Sequence, residues 1–298
     1  MAGQGAKRSE ISFIKKAIGF LIKEPCAGKD NRPFRRTGFS SPLGRGSILG
    51  SKKGVAHMAS TQYSFERREE KYFLTPVQYE ALLTPLRQHM HADEHEQYTI
   101  CSLYCDTPDW QLIRTSLEKP YYKEKLRVRS YGTPTPDGRV FVELKKKVGG
   151  IVYKRRIALP AARADAFLRG EVSVPGQIAC EISWFQRMYG AQPRVLIAYD
   201  RTAFAGVTEP GLRVTFDTGI RWRTDHLSLT AGDGGAPLLG DDRILMELKT
   251  PDACPLWLSR ALSQAGARAT SFSKYGTCYR EHLEAGAQNH FKEALHSA

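Results

Sequence analysis

Three successive stretches of this sequence alternate with a period of two, and short glycine-containing turns join them. Tyr122–Tyr131, Arg139–Lys147 and Ile151–Leu159 are separated by GTPTPDG and VGG. A period of two describes strands with one buried face. Turns this short make such strands antiparallel neighbours. The same signature covers SFERREEKYFL, YTICSLYCDTP, Arg194–Phe204, Arg213–Asp217 and Ile244–Lys249. Between them, TPVQYEALLTPLRQHM predicts a helix capped by Thr75, with Pro76 in its first turn and Tyr79, Leu82, Leu83 and Leu86 as an apolar stripe. DWQLIRTSLEKP predicts a short helical or irregular link. AARADAFLRG, a segment from Gln177, CPLWLSRALSQAG and the residues after TSFSKYGTCYREHL predict further helices. The pattern is that of an α+β domain on one large antiparallel sheet.

The alternation sorts charge as well as hydrophobicity. Lys123, Lys125, Arg127 and Arg129 share one face of their strand, and Glu124, Leu126 and Val128 share the other. Lys145, Lys147, Lys154, Arg156, Arg201, Arg213, Arg221, Arg223, Lys249, Arg67 and Lys71 extend this set to fifteen basic residues, against Glu69, Glu143, Asp217 and Glu247. On a single strand, a solvated outer face explains such charges. Over the whole set it does not, because neighbouring like charges repel and solvent faces mix signs. The chain carries 44 Lys+Arg against 31 Asp+Glu, a net charge of +13, which points to a polyanionic partner. A curved or closed sheet would gather the charged face into a basic channel suited to a chain of phosphates. Nucleic-acid readers add groove-entering helices or stacking aromatics. Aromatics are sparse on this face, so nucleic acid is disfavoured. GxxxxGK[ST] and GxGxxG are absent, which leaves phosphate to be held by side chains.

Other features set bounds. Residues 1–60 read as a basic, disordered tail or as translation assigned from too early a start, with Met58 a reasonable true one. Within them ISFIKKAIGFLIK has the pattern of a short basic amphipathic helix that could touch a membrane surface. No apolar run reaches the roughly 18 residues of a membrane span. The six cysteines form no CxxC pair, and Cys101 and Cys105 read as small buried thiols. A reducing cytoplasm fits this usage. His89, His91 and His95 lie close together, but a solvated helix end explains them better than a metal site.

The blocks RREEKYFL, SLYCDTP, LEKPYYKEKLRVRSYG, VFVELKKKVGGIVYKRRIAL, IAYDRTAF, LRVTFD, LMELK and SFSKYG resemble, in order, the catalytic domain of the vacuolar transporter chaperone (VTC) polyphosphate polymerases, in its bacterial form. That domain belongs to the triphosphate tunnel metalloenzymes, related to CYTH proteins. The resemblance spans about residues 62–285 and implies a catalytic domain over 61–290. It implies a closed eight-stranded antiparallel β tunnel with peripheral helices, binding ATP and growing inorganic polyphosphate. It implies catalytic roles for Lys71, Arg127, Arg129 and Lys274, and phosphate binding by Lys145, Lys154, Tyr199, Arg201, Arg213 and Ser273. Glu247 matches the ligand of Mn²⁺ or Mg²⁺, although a salt bridge to a neighbouring Lys or Arg is an equal reading. For Glu143 the salt bridge is preferred. The CYTH-type ExExK signature is altered to Arg67-x-Glu69-x-Lys71, which weakens a metal role for Glu69.

The activity implied is transfer of the ATP γ-phosphate to polyphosphate by a metal-dependent phosphotransferase. Its location would be cytoplasmic, or peripheral at the inner face of a membrane beside a membrane-protein partner. A terminal phosphate oxygen is already anionic near neutral pH and needs no general base, whereas water benefits from one. No histidine is placed for that task. Alternatives are a tunnel triphosphatase acting on triphosphate or nucleoside triphosphates, a non-catalytic polyphosphate- or RNA-binding module, and a scaffold in a membrane complex.

Overall fold

The computed structural model describes residues 68–285, except Asp241 and Asp252 and the side chains of Glu94, His95 and Glu96. The tail, Met58, the amphipathic segment and Arg67 lie outside the described residues. So does the side chain of His95.

Ten strands form one sheet: β1 (Arg68–Leu74), β2 (Met90–Asp106), β3 (Tyr122–Tyr131), β4 (Arg139–Val148), β5 (Ile151–Pro160), β6 (Gln192–Gly206), β7 (Arg213–Arg223), β8 (Ala236–Pro237), β9 (Ile244–Thr250) and β10 (Ala269–Thr270). The order is β10-β1-β9-β7-β6-β2-β3-β4-β5, with β8 on β7, and every pairing is antiparallel. Among the described residues, six α-helices accompany it: α1 (Pro76–His89), α2 (Gln111–Leu117), α3 (Ala161–Leu168), α4 (Gln177–Tyr189), α5 (Leu256–Gln264) and α6 (Lys274–Cys278). The α+β class and the large antiparallel sheet stand as read from sequence. Closure and the count of eight do not. The outer edge of β1, where β5 would have to pair to close a ring, is occupied by β10 through Lys71↔Thr270 and Tyr72↔Ala269.

Local chemistry accounts for the elements. Thr75 Oγ1 accepts from the Gln78 backbone N–H, and the Gln78 side chain accepts from the Thr75 N–H, so α1 starts in a capping box with proline at its first position. Leu82, Leu83 and Leu86 are buried, and Tyr79 meets Phe216 edge-on. On β3 and β4, Leu126, Val128, Val142 and Leu144 are fully buried against Phe167 of α3 and Ile182 and Phe185 of α4. Each such side chain contributes roughly 1.5–3 kcal/mol by leaving water, which fixes the register and turns the alternate charged residues to the concave side. A second core packs α1 and α5 on β1, β7 and β9 through Leu74, Val214, Phe216, Met246, Leu248 and Leu258.

The third core lies on the concave side and closes one end of it. Ile197 and Ile220 meet Trp110, Ile113, Tyr275, Cys278 and Tyr279 there. Asp106, fully buried, ties this plug together. It accepts from the backbone N–H groups of Thr107, Leu112 and Ile113 at 2.8–3.0 Å and from the Tyr275 hydroxyl at 2.6 Å. Burial pushes its carboxyl up, against those bonds. Cys101 and Cys105 are buried free thiols, as expected. Among the described residues no helix is long and apolar enough to cross a membrane.

β7 departs from simple alternation. Its register against β6 shifts between Ala198 and Asp200, and Gly219 sits there at φ +55°. A side chain at Gly219 would meet the Asp200 carboxylate at 3.1 Å, besides the left-handed strain. The bulge reverses the facing of everything beyond it. Arg213, Thr215 and Asp217 stay in phase with Arg201 on the concave side, whereas Arg221 and Arg223 pair opposite Ala198 and Leu196 on the convex side. Arg221 joins Asp200 and Asp233, and Arg223 donates to the carbonyls of Gly232 and Gly234. These two arginines therefore leave the basic face that the sequence assigns them.

Candidate functional site: a basic trough

The sheet curls enough for β1 and β4 to line the same cavity, which measures about 200 Å³. Around it stand Lys71, Lys125, Arg127, Arg129, Lys145, Arg201, Lys249 and Lys274, with Glu69, Glu143 and Glu247, the phenols of Tyr104 and Tyr199, and Phe272 and Ser273. Nine of the eleven expected site residues are thus brought together from five strands and the α6 entry. Lys154 and Arg213 do not line the cavity. Lys154 holds Glu143 at 2.6 Å, and Arg213 pairs with Asp93. Among the described histidines, His89 stacks on Trp257.

Glu247 is the electrostatic centre. Lys71, Arg201, Lys249 and Lys274 surround its carboxylate at 3.6–3.8 Å. Burial resists its ionisation, but these cations outweigh burial and hold the carboxyl well below the usual range. Asp217, beneath the cavity, fixes two of the four. It accepts both a 2.6 and a 2.8 Å hydrogen bond from the Arg201 guanidinium, a bidentate pair, and one from Lys274 Nζ. Burial works against the Lys274 charge, yet Asp217, Tyr199 and Glu247 keep its pKa raised. Lys274 also lies over the Tyr199 ring at 4.3 Å, and Arg201 at 5.2 Å. Lys71 donates to the Phe272 carbonyl at 2.9 Å, while Ser273 Oγ caps α6 through Gly276 N–H.

The second half of the site is built on β3. Arg127 Nε donates to Glu143 at 2.8 Å, and its Nη1 reaches the Tyr104 hydroxyl at 3.3 Å. Glu143 is held to about 2, because Arg127, Arg129 and Lys154 overcome the effect of its burial. Its expected role as a salt-bridge partner is what the structure shows. Burial raises the Tyr104 phenol, but Arg127, Arg129 and Lys125 pull it down to about 8. Burial lowers Lys125 to about 8, helped by Lys123, Lys145 and Lys71 and opposed by Tyr104.

Both shifts act in one direction on an anionic ligand. Above pH 8 Lys125 loses its positive charge and Tyr104 gains a negative one. Tripolyphosphate affinity is therefore expected to fall roughly ten-fold or more between about pH 7 and about pH 9. Titration calorimetry at constant ionic strength measures this. The Tyr104→Phe and Lys125→Ala variants should flatten the profile, and an equally steep profile in both would place the titration elsewhere.

Sequence reasoning left Tyr104, Lys125, Lys249 and Asp217 without roles. Alternation sets Lys125 and Lys249 on the charged face, in phase with the residues that received one, and the structure places both in the cavity lining. Asp217 needed the β6–β7 register, which pairs it with Arg201.

A concave sheet face thus gathers eight cationic side chains and three carboxylates around one cavity, and side chains, not a glycine loop, line it. The VTC domain family matches residues 66–282, and the chain belongs to that family. It is 27% identical over 279 residues to vacuolar transporter chaperone complex subunit 4 of Schizosaccharomyces pombe, covering 77% of this chain and 38% of that protein. The chain thus spans well under half of the relative's length. Among solved structures, an adenylyl cyclase from Hippeastrum with a dominant triphosphatase activity aligns over 73% of this chain and 95% of that one, at 16% identity and a TM-score of 0.44. An adenylate cyclase from Vibrio parahaemolyticus aligns over 72% and 98%, at 16% identity and a TM-score of 0.40. Likeness of that degree assigns no chemistry.

Proposed function

We propose that this protein is a polyphosphate polymerase that transfers the γ-phosphate of ATP to the end of an inorganic polyphosphate chain. The observation that carries this reading is the convergence of Lys71, Arg127, Arg129, Lys145, Arg201 and Lys274 on one cavity around Glu247. The terminal oxygen of the chain attacks the γ-phosphorus, a new P–O bond forms, and the bond to the β-phosphate oxygen breaks to release ADP. Loose phosphoryl-transfer transition states need positioning and charge neutralisation above all. Arg127, Arg129 and Lys145 on one wall, and Lys71, Arg201 and Lys274 on the other, supply both.

Polymer synthesis fits better than hydrolysis for a chemical reason. Among the described residues the cavity lining includes no histidine, and its carboxylate Glu69 is paired with Lys71. Glu143 is held at about 2 by Arg127, Arg129 and Lys154, and Glu247 is likewise held low, so neither is a competent base for water. A phosphate nucleophile requires none.

A divalent cation suits the donor set. The four cations around Glu247 stand beyond hydrogen-bonding distance. Thr215, directly opposite on β7, has a buried hydroxyl without a partner. Among the described residues no three His, Cys, Asp or Glu side chains converge. Mg²⁺ or Mn²⁺ would therefore be held by Glu247 together with substrate phosphates, the usual mode for Mg²⁺. Bound there, it would neutralise charge developing on phosphate oxygens. In this reading residues 61–290 are the catalytic unit, cytoplasmic or peripheral at the inner face of a membrane beside a membrane-protein partner.

Product analysis tests the proposal. The full chain with ATP, Mn²⁺ or Mg²⁺ and a short polyphosphate primer should yield ADP and lengthened polyphosphate in matching amounts, by gel and ³¹P NMR. ADP with orthophosphate alone would make it a triphosphatase. No turnover with either metal would make it a binding module.

A further inference from the structure

The sequence shows few aromatics on the basic face, but the topology brings three of them to one end of it. Tyr98 of β2, Tyr131 of β3 and Phe141 of β4 meet with ring centroids 5.8 Å (Tyr98–Tyr131) and 6.0 Å (Tyr131–Phe141) apart. The Arg156 guanidinium of β5 lies over Phe141 at 4.8 Å. Tyr131 is 53% exposed. Tyr131 and Phe141 belong to none of the three hydrophobic cores, and Tyr98 only borders one.

Position adds to composition. Tyr131 lies two residues beyond Arg129 on the same face of β3, roughly 7 Å along the strand. This is the side away from the apolar plug of Trp110, Ile113, Tyr275 and Tyr279. A nucleotide whose phosphates lie on Arg127 and Arg129, with its sugar and base directed away from that plug, meets Tyr131 next along the strand. We infer that the exposed ring of Tyr131, braced edge-on by Phe141 with Arg156 seated on the Phe141 face, is a shelf on which the base of the donor nucleotide stacks. This subsite rests on the reading of ATP as donor. Every base has a π face, and stacking on aromatic and guanidinium planes is tolerant of base identity.

The test compares ATP with inorganic tripolyphosphate, which carries the phosphates without the base, on the full chain by calorimetry. Tyr131→Ala is expected to weaken ATP roughly 5- to 100-fold, the range seen for a lost base–aromatic stack. It should leave tripolyphosphate within about two-fold, while Tyr131→Phe keeps the affinity for both. Because Tyr131 is exposed, the variant folds; Arg156→Ala, on an exposed edge position, gives an independent second reading with the same expected pattern. Equal loss for both ligands, or no loss for ATP in either variant, overturns the shelf. Wild-type protein that binds tripolyphosphate but gains nothing from the nucleoside overturns the shelf and leaves the phosphate trough standing. Binding of neither ligand by the wild type overturns both.

Discussion

Glu247→Gln is expected to abolish metal-dependent ATP turnover while tightening the binding of tripolyphosphate in the absence of metal. The two effects separate because the carboxylate has two jobs. It spreads its charge over Lys71, Arg201, Lys249 and Lys274, and so competes with any phosphate for them. A unit charge at about 4 Å and an effective dielectric of about 20 is worth about 4 kcal/mol, so relief of even part of that repulsion should tighten binding about ten-fold or more. In the proposed reaction, the same carboxylate would also anchor the divalent cation. Its loss should cost about 10²–10³ in kcat, the scale of removing a single stabiliser of developing charge. Calorimetry with and without Mg²⁺ or Mn²⁺, beside ADP release, reads both. Turnover retained within about ten-fold would remove Glu247 from the metal site. Loss of tripolyphosphate binding along with turnover would mean that the carboxylate mainly holds its cations in place.

Asp217→Ala should have the largest effect on stability. Asp217 is 0% exposed and neutralises Arg201 and Lys274, both nearly buried. Removing one partner of a buried pair strands the other charge, at about 3–5 kcal/mol. For a domain of this size that lowers Tm by on the order of 10 °C. Tripolyphosphate should restore part of the loss, because its oxygens can take over the two orphaned cations and ligand binding adds to stability by mass action. Differential scanning calorimetry with and without ligand measures it. An unchanged Tm would show that Arg201 and Lys274 relax into solvent. A lowered Tm without anion rescue would place Asp217 in the scaffold alone.

The site was largely legible in the sequence because it is built on regular strands. Arg127 and Arg129 lie between Leu126, Val128 and Ser130, whose burial leaves only one direction for the guanidinium groups. Lys71 and Glu247 follow the same logic on β1 and β9, where the register sets them side by side. What failed did so where a single residue alters phase or where contacts are non-local. Periodicity carries no sign of the bulge at Gly219, so Arg221 and Arg223 were assigned to the wrong face. The polar run Met90–Gln97 lacks any strand signature, and it is strand because β6 extends to Gly206 and pairs with its start. β10 is two residues long, too short to announce itself, yet it occupies the edge on which closure would depend. Tyr98, Tyr131 and Phe141 are each ordinary strand aromatics, and only the β2-β3-β4 order makes them a group.

The unclosed sheet bears on how a long polymer could be handled. A ring has a rim, and a chain can enter a ring only by its end. Among the described residues β5 and β10 are separate edges, so no ladder of backbone hydrogen bonds seals the concavity between them. A linear polyanion can be laid into an unsealed groove sideways, with its middle engaged and both ends free, and can be lifted out the same way. Occupancy then scales with the number of phosphates on offer, and release does not require the whole chain to slide through.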